Sequence, residues 1–293
     1  MRILVTGAGG FVGRHVARAL AKSGHDVLAS VHRSVPDSLS DNPALRVVRF
    51  DMTASEPLDM DGSLDGVVHC AAALPSVIQD PDQLYRINVN GMERLLEGAL
   101  KAGARSFVSC SSMSAFGKIS DSEVTLDTPS IEPDAYGRAK LESERLLAEA
   151  SSAGLSGLSI RLPGVVGLGS HDNFLSGAMA RILKGEPVAA RNPDALFNNI
   201  VHVDNLAGFM AARLRATEAG HWVTTLAAEK PLPIKRVLQI MFEEAGVPEN
   251  LTFSVGGSPF LIDTAPARAL GFRPPTTEDC VRRFARENAE APA

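Results

Sequence analysis

Apolar residues in the first 160 positions gather into short runs: Ile3–Thr6, Asp26–Val31, Arg46–Phe50, Gly66–Cys70, Ser106–Cys110 and Gly157–Arg161. The runs are nearly continuous rather than alternating, the pattern of parallel strands covered on both faces. Between them lie amphipathic stretches, Phe11 to Ser23, Asp82 to Ala102 and Asp134 to Ala153. In the second, Leu84, Ile87, Gly91 with Leu95, and Leu96 with Ala99 follow helical spacing. Strand and helix alternating this regularly predict an α/β fold built on a doubly wound parallel sheet. After residue 163 the regularity breaks into pieces rich in Gly, Pro and Asn, with helical pattern at Asn205–Ala216 and Ile234–Ala245. The predicted organisation is a dinucleotide-type domain over 1–163 and a mixed segment over 164–293 that completes the sheet and forms a small substrate lobe. Glu287 to Ala293 lacks apolar periodicity and is predicted to fray.

Composition narrows the class. With 293 residues, 45% of them hydrophobic, the chain can bury a sizeable core and is neither disordered nor a disulfide-stapled miniprotein. A net charge of −5 offers no general attraction to nucleic acid or an anionic membrane. The first predicted strand leaves no room for a signal peptide, and no apolar run approaches the roughly 18 residues of a membrane span. Three cysteines without metal-site spacing fit a reducing compartment, so the expected location is cytoplasmic and no metal is expected. Cys70 and Cys110 fall at strand ends, where packing accounts for both. Of the aromatics, twelve are Phe, one is Trp, and two are tyrosines, Tyr85 and Tyr136.

The first chemical motif is Thr6-Gly7-Ala8-Gly9-Gly10-Phe11-Val12-Gly13, between the first strand and the first helix. Gly7 permits a tight turn, Gly10 lets the backbone approach a pyrophosphate, and Gly13 lets the helix pack closely on the sheet. The N–H groups opening the helix, at Phe11 and Val12, then face the phosphates with the positive end of the helix dipole. An NAD site usually ends its second strand with an acid that binds the ribose 2′-OH. Here that strand ends in Ser30, His32 and Arg33, which leans the prediction toward NADP over NAD, because a guanidinium can pair with a 2′-phosphate. Asp51, with Met52 after it, is placed either to accept from the adenine amino group or to serve as a plain turn aspartate.

The second motif is Tyr136-Gly137-Arg138-Ala139-Lys140. Spacing i, i+4 puts phenol and ammonium on one helix face, and a cation there stabilises a phenolate, which suits the tyrosine to acid/base work. Upstream, Ser109-Cys110-Ser111-Ser112 ends the fifth strand at the sheet edge where ligands bind, and a hydroxyl there can polarise a substrate oxygen.

These elements together resemble the extended short-chain dehydrogenases/reductases, specifically the NAD-dependent epimerase/dehydratase group. The resemblance rests on the glycine motif, His69-Cys70-Ala71-Ala72, Asn88 in Arg86–Gly91, Ser109–Gly117, Tyr136-x-x-x-Lys140, Arg161–Gly167, Val201-His202-Val203-Asp204 and Ala267–Pro274, and so covers nearly the whole chain. It implies a Rossmann fold with Tyr136 as general acid/base, Lys140 as its activator and ribose ligand, and Ser112 as the substrate-polarising hydroxyl, or Ser111 if the register slips by one. It further implies that Ala71, Ala72 and Ala73 line the cofactor, that Asn88 supports the helix backbone near the active site and counts among the cofactor-binding residues, and that Pro163 and Val166 border the nicotinamide. Ser114, Asn173 and Asn198 join Ser112 as expected substrate contacts. A homodimer through the helices from Asp82 and Asp134, by way of Leu95, Leu96, Leu141 and Leu146, is expected on the same ground, although core burial explains those leucines equally.

Departures from the group refine the function. Met113 and Ser114 stand where dehydratases carry Asp-Glu, so water elimination is disfavoured. Asn198 and Asn199 stand where many nucleotide-sugar epimerases hold the diphosphate with an arginine, and no arginine occurs between Arg236 and Arg268; Arg191 is a nearby substitute. The leading reading is an NAD(P)-dependent oxidoreductase that reduces a ketone, on a 4-keto sugar nucleotide or a smaller carbonyl compound. The alternative is an NAD-dependent nucleotide-sugar epimerase. A reading of another class, a non-catalytic dinucleotide sensor, conflicts with the retained Tyr/Lys pair. The polar stretch Lys118–Pro133 reads as a substrate lid or an ordinary surface loop.

Overall fold

The computed structural model describes residues 1–32, 35–36, 39, 42–54 and 62–291. Its centre is a seven-stranded sheet. Strands β1 (Arg2–Thr6), β2 (Asp26–Val31), β3 (Leu45–Arg49), β4 (Gly66–His69), β5 (Ser106–Ser112), β6 (Ser156–Leu162) and β7 (Gly220–Thr225) lie in the order β7-β6-β5-β4-β1-β2-β3. The pairings β1–β2, β2–β3, β1–β4 and β4–β5 are all parallel, as the continuous apolar runs predict. The order reverses at β1, and a sheet of this kind binds ligands outside the strand C-termini at that switch point.

The helices are α1 (Phe11–Lys22), α2 (Pro81–Lys101), α3 (Ala135–Ser151), α4 (Phe174–Leu183), α5 (Val203–Arg213), α6 (Ile234–Ala245), α7 (Ala265–Ala269) and α8 (Thr277–Ala289). Side-chain oxygens fix several starts: Asp80 caps α2 ahead of Pro81, Asp134 caps α3 and Thr276 caps α8. Leu4, Leu28, Val67 and Phe107 from the sheet pack with Met92, Leu95 and Leu96 of α2 and Leu147 of α3. Two of the leucines expected at a dimer face, Leu95 and Leu96, are therefore core residues, whereas Leu141 and Leu146 are only half-buried.

The chain divides into two compact units, Met1–Lys118 with Pro129–Arg161 and Ala207–Thr224, and Ile119–Thr128 with Leu162–Leu206 and Thr225–Ala293. The second unit has its own core, in which Met179 and Ile182 of α4, Leu238 and Met241 of α6, and Val281 and Phe284 of α8 meet. Short parallel strand pairs border it, Gly164–Val166 with Ile200–His202 and Val188–Arg191 with Leu251–Ser254. The predicted fraying from Glu287 is not seen over its first residues: α8 runs to Ala289, and Glu287 accepts from His202 Nε2 at 3.0 Å and from Arg283 Nε at 2.8 Å. Polar tertiary contacts hold this turn, and apolar periodicity cannot register them. No helix among the described residues is long and apolar enough to cross a membrane.

One buried group links this fold to pH. His69, 3% exposed at the end of β4, hydrogen-bonds Thr6 Oγ1 through Nδ1 at 2.7 Å. Burial, and secondarily the charge of Lys140, lower its pKa to about 3. The unfolded chain takes up this proton below roughly pH 6.5, while the folded chain resists it until about 3. The contribution is therefore complete above pH 6.5 and is lost as pH falls toward 3, at up to about 1.4 kcal/mol per pH unit. Denaturant titrations at pH 7 and pH 5 should show wild type losing more stability than His69→Asn; parallel losses would assign the decline to other groups.

Candidate active site

The turn after β1 has the shape its glycines predict. Gly7 adopts φ +67°, and a Cβ there would lie 2.7 Å from the Ala71 amide nitrogen, so the turn presses directly on the chain leaving β4. A Cβ on Gly13 would come within 2.1 Å of the Gly7 carbonyl oxygen. Gly13 thus lets α1 close onto the turn itself, rather than onto the sheet as the sequence reading expected. Helix α1 begins at Gly10 with no side-chain cap and no acid in its first turn. Its opening N–H groups and positive dipole end suit a phosphate, so the cradle fits a dinucleotide.

Ala71 to Ala73 leave β4 beside this turn. Asn88, 3% exposed in α2, clamps the strip: its Oδ1 accepts from Ala73 N at 2.9 Å, and its Nδ2 donates to Ala73 O at 3.0 Å and Leu84 O at 2.9 Å. With both ends of the amide engaged, Asn88 supports the strip through the backbone and presents no free group to a cofactor.

At the ends of β2 and β3, His32 and Asp51 come together, Nε2 to Oδ2 at 3.3 Å. Asp51 Oδ1 accepts from the Thr53 amide at 2.8 Å and hydroxyl at 2.7 Å, and these bonds, with a smaller share from His32, hold its carboxyl below the usual range. The turn reading of Asp51 is the one seen. Met52 packs on Gly91 of α2, and its carbonyl accepts from Arg94 at 2.5 Å. The second strand itself ends without an acid, but folding brings the Asp51 carboxylate from the end of the third strand to His32. Arg33 lies outside the described residues.

The catalytic set gathers where β5 meets α3. Strand β5 continues through Ser112, two residues past its predicted end, since Ser111 gains a tertiary partner that strand propensity does not register. Ser111 is 5% exposed and donates to Glu144 Oε1 at 2.5 Å. Ser112, half-buried, begins a short 3₁₀ turn over Met113–Phe116, where its Oγ accepts from Ser114 N at 3.1 Å and donates to Ser114 Oγ at 3.2 Å. Of the two candidate serines, Ser112 is the one left accessible.

On α3, Tyr136 is half-buried and Lys140 buried, with Nζ 5.3 Å from the phenol ring centroid. Lys140 Nζ donates to the Cys110 carbonyl at 2.8 Å, which pins the ammonium between β5 and the tyrosine. Gly137 permits this approach, because a Cβ there would sit 2.1 Å from the Ser114 carbonyl oxygen. One turn beyond Lys140, Glu144 takes a two-pronged ion pair from Arg161 of β6, at 3.0 and 2.8 Å, while the Arg161 guanidinium covers the Phe116 ring at 4.5 Å. This buried ion pair ties α3, β5, β6 and the 3₁₀ turn together. The sequence reading missed Glu144, although its i+4 spacing from Lys140 continues the Tyr136–Lys140 stripe.

In the second unit, a cavity of about 250 Å³ is lined by Gly164, Val166, Asn173, Phe174, Phe197 and Asn199, among others. Val166 and Asn173, expected cofactor and substrate contacts, both reach it, and Pro163 immediately precedes the strand Gly164–Val166. Asn173 caps α4 by accepting from Ser176 N at 3.0 Å and donates to Val165 O at 3.1 Å. Asn198 is not in the lining. Its amide is buried and committed to both backbone groups of Ile262, each at 2.9 Å, which corrects its expected role as a substrate contact. The neighbouring Asn199 has a buried Oδ1 with no hydrogen-bond partner and is the better-placed amide. Elsewhere in this unit His202, Asp204 and Glu287 cluster, but Arg283 pairs with both carboxylates.

Comparison with known proteins agrees with this geometry. A UDP-glucose 4-epimerase of Lactobacillus helveticus is 30% identical over 185 residues, 59% of this chain and 54% of that protein, so the match spans about half the relative's length. A dTDP-6-deoxy-L-talose 4-dehydrogenase (NAD(P)(+)) of Kitasatospora kifunensis is 27% identical over 86% of this chain and 81% of its own. The crystal structure of UDP-glucuronic acid 4-epimerase from Bacillus cereus in complex with NAD superposes with a TM-score of 0.82 at 21% identity, covering 98% of this chain and 96% of that one, a likeness of fold. The family model covers residues 3–223, a span that holds the glycine turn, the Ala71–Ala73 strip and the Ser112, Tyr136 and Lys140 cluster, and the chain belongs to the NAD dependent epimerase/dehydratase family.

Proposed function

We propose that the protein is an NAD-dependent oxidoreductase acting on the C4 carbinol or ketone of a nucleotide-linked sugar, with epimerisation at that carbon as the net reaction. The observation that carries the chemistry is the Ser112, Tyr136 and Lys140 cluster, with Lys140 held at 2.8 Å by the Cys110 carbonyl beneath the phenol. The three relatives named above share chemistry at position 4, and two of them are epimerases. This weighs toward epimerisation, which the sequence reading placed second to net ketone reduction.

In this reading the bound nicotinamide supplies or accepts hydride. Tyr136 exchanges the proton of the reacting oxygen. Lys140 sets its ammonium beside the phenol ring and would hold the nicotinamide ribose, and Ser112 orients and polarises the oxygen. The purified protein, given UDP-glucose and no added cofactor, is expected to yield the C4 epimer and to release NAD on denaturation. Cofactor oxidation with a 4-keto sugar nucleotide, in the absence of epimer, would instead establish the reductase.

A second reading, a smaller uncharged carbonyl substrate, is favoured by one observation: the cavity in the second unit is lined by Phe, Val, Leu, Ile and Asn side chains without a charge, and Asn198 is locked to Ile262 where many epimerases carry arginine. A screen of simple ketones beside the sugar nucleotides separates the two.

The cofactor is read as NAD. The family supports it, and the Asp51 carboxylate beside His32 would repel a 2′-phosphate at that edge. Asp51→Asn is therefore expected to raise NADP affinity several-fold, on the order of 1 kcal/mol, while changing NAD affinity little. Isothermal titration with both nucleotides checks this, and an equal change for both would remove Asp51 from the discrimination.

A further inference from the structure

Two thiols lie directly behind the catalytic cluster with no part in the chemistry above. Cys70 follows the last residue of β4, and Cys110 lies within β5. Their strands are parallel neighbours, with His69 opposite Ser109, so the next step brings Cys70 opposite Cys110. Their sulfurs are 3.7 Å apart and both thiols are free. Neighbouring strands run about 4.8 Å apart, inside the Cα separation of roughly 4.4 to 6.8 Å that a disulfide spans. Cys70 is partly exposed, so the pair is reachable by a small oxidant, whereas Cys280 is 1% exposed and burial pushes its thiol up to about 12.

We propose that Cys70 and Cys110 form a reversible oxidation site, closed by a peroxide into an intrachain disulfide that disturbs the cofactor cradle and Lys140. The hydrogen bond between the sulfurs, and then the Lys140 charge, lower the Cys110 thiol against the opposing effect of burial, and the same bond raises Cys70. Either sulfur can take the first oxidation, with the other resolving it. One thiolate attacks one peroxide oxygen, the O–O bond breaks, and this step yields a sulfenic acid and one water, the thiol's proton included. The second sulfur then attacks the sulfenic sulfur: the S–S bond forms, the S–O bond breaks, and the departing hydroxyl takes the second thiol's proton as a second water. Two thiols are oxidised and one peroxide is reduced to two waters.

The consequence follows from what the two residues carry. The sulfurs must close from 3.7 Å to roughly 2.05 Å, which draws the strand ends together. The Cys110 carbonyl is the acceptor for Lys140 Nζ. The chain just after Cys70 is the Ala71 amide, against which Gly7 packs so closely that a Cβ would lie 2.7 Å away. Closing the disulfide therefore moves one anchor of the lysine and one wall of the phosphate turn.

The test treats the intact protein with hydrogen peroxide at neutral pH, then counts thiols after denaturation and maps the linked peptides. The expected product is a chain of unchanged oligomeric state that retains only the Cys280 thiol, carries a Cys70–Cys110 link, and is restored by dithiothreitol. Retention of all three thiols, cross-links between chains, or oxidation of Cys280 first would each overturn the proposal. Cys70→Ser and Cys110→Ser are each expected to abolish the link, and a link to Cys280 arising in either variant as readily as the wild-type link forms would overturn the pairing. NAD affinity of the oxidised wild type is expected to fall on the order of tenfold and to recover on reduction, and unchanged affinity would overturn the coupling to the cradle. This last arm rests on the NAD reading. Failure of the reduced protein to bind NAD would sink that reading while the thiol count still decides the oxidation site.

Discussion

Tyr136→Phe is expected to reduce turnover by about a hundredfold to ten-thousandfold while leaving the fold and NAD affinity nearly intact. The substitution removes one hydroxyl and keeps the ring that faces Lys140 Nζ at 5.3 Å, so the helix and its packing have no cause to change. What disappears is the group that exchanges a proton with the reacting oxygen. Ser112 cannot take its place, because its hydroxyl serves to polarise that oxygen and its partners, the amide and hydroxyl of Ser114, are no acid or base with which to exchange a proton. Lys140 cannot either, since its ammonium donates to the Cys110 carbonyl and is held there by burial. Steady-state assay on the sugar nucleotide, with a nucleotide titration in parallel, separates this outcome from misfolding. Turnover within a few-fold of wild type would remove Tyr136 from the chemistry.

The sheet was readable from the chain because parallel strands covered on both faces are continuously apolar. Asp26–Val31 and Ile234–Ala245 match their predicted limits in full. The glycine turn was readable for a related reason: Gly7 and Gly13 each stand where a Cβ meets backbone within 3 Å, a demand only glycine meets. Single polar residues were harder to place. Asn173, Asn198 and Asn199 offer the same amide in sequence, yet one caps α4, one binds Ile262 and one keeps a buried oxygen unpartnered. Their partners lie as far as 64 residues away, beyond what local spacing conveys. The meeting of Asp51 with His32 was hidden for the same cause, since the two residues follow different strands. The serine run could be narrowed only by Glu144, which claims Ser111 and leaves Ser112.

That glutamate carries the second large effect. Glu144→Gln should lower the free energy of unfolding by about 3 to 5 kcal/mol, because it leaves the Arg161 guanidinium buried without its charge partner. Their side chains are 8% and 13% exposed, so solvent cannot compensate, and the loss is a large part of the roughly 5 to 15 kcal/mol that holds a folded domain. The neutral amide could still turn its oxygen to Ser111 and Arg161 Nε, but its nitrogen is then a donor where Arg161 Nη2 needs an acceptor. The strain would fall on the junction of α3, β5 and β6, so residual activity should decline along with stability. Replacing both partners, Glu144→Met with Arg161→Met, removes the stranded charge and is expected to recover most of the lost stability. Urea titrations of the two variants decide the matter. If the double variant is as unstable as the single one, the deficit comes from lost packing on Phe116 and the Ser111 bond, and the ion pair is not what holds this junction closed.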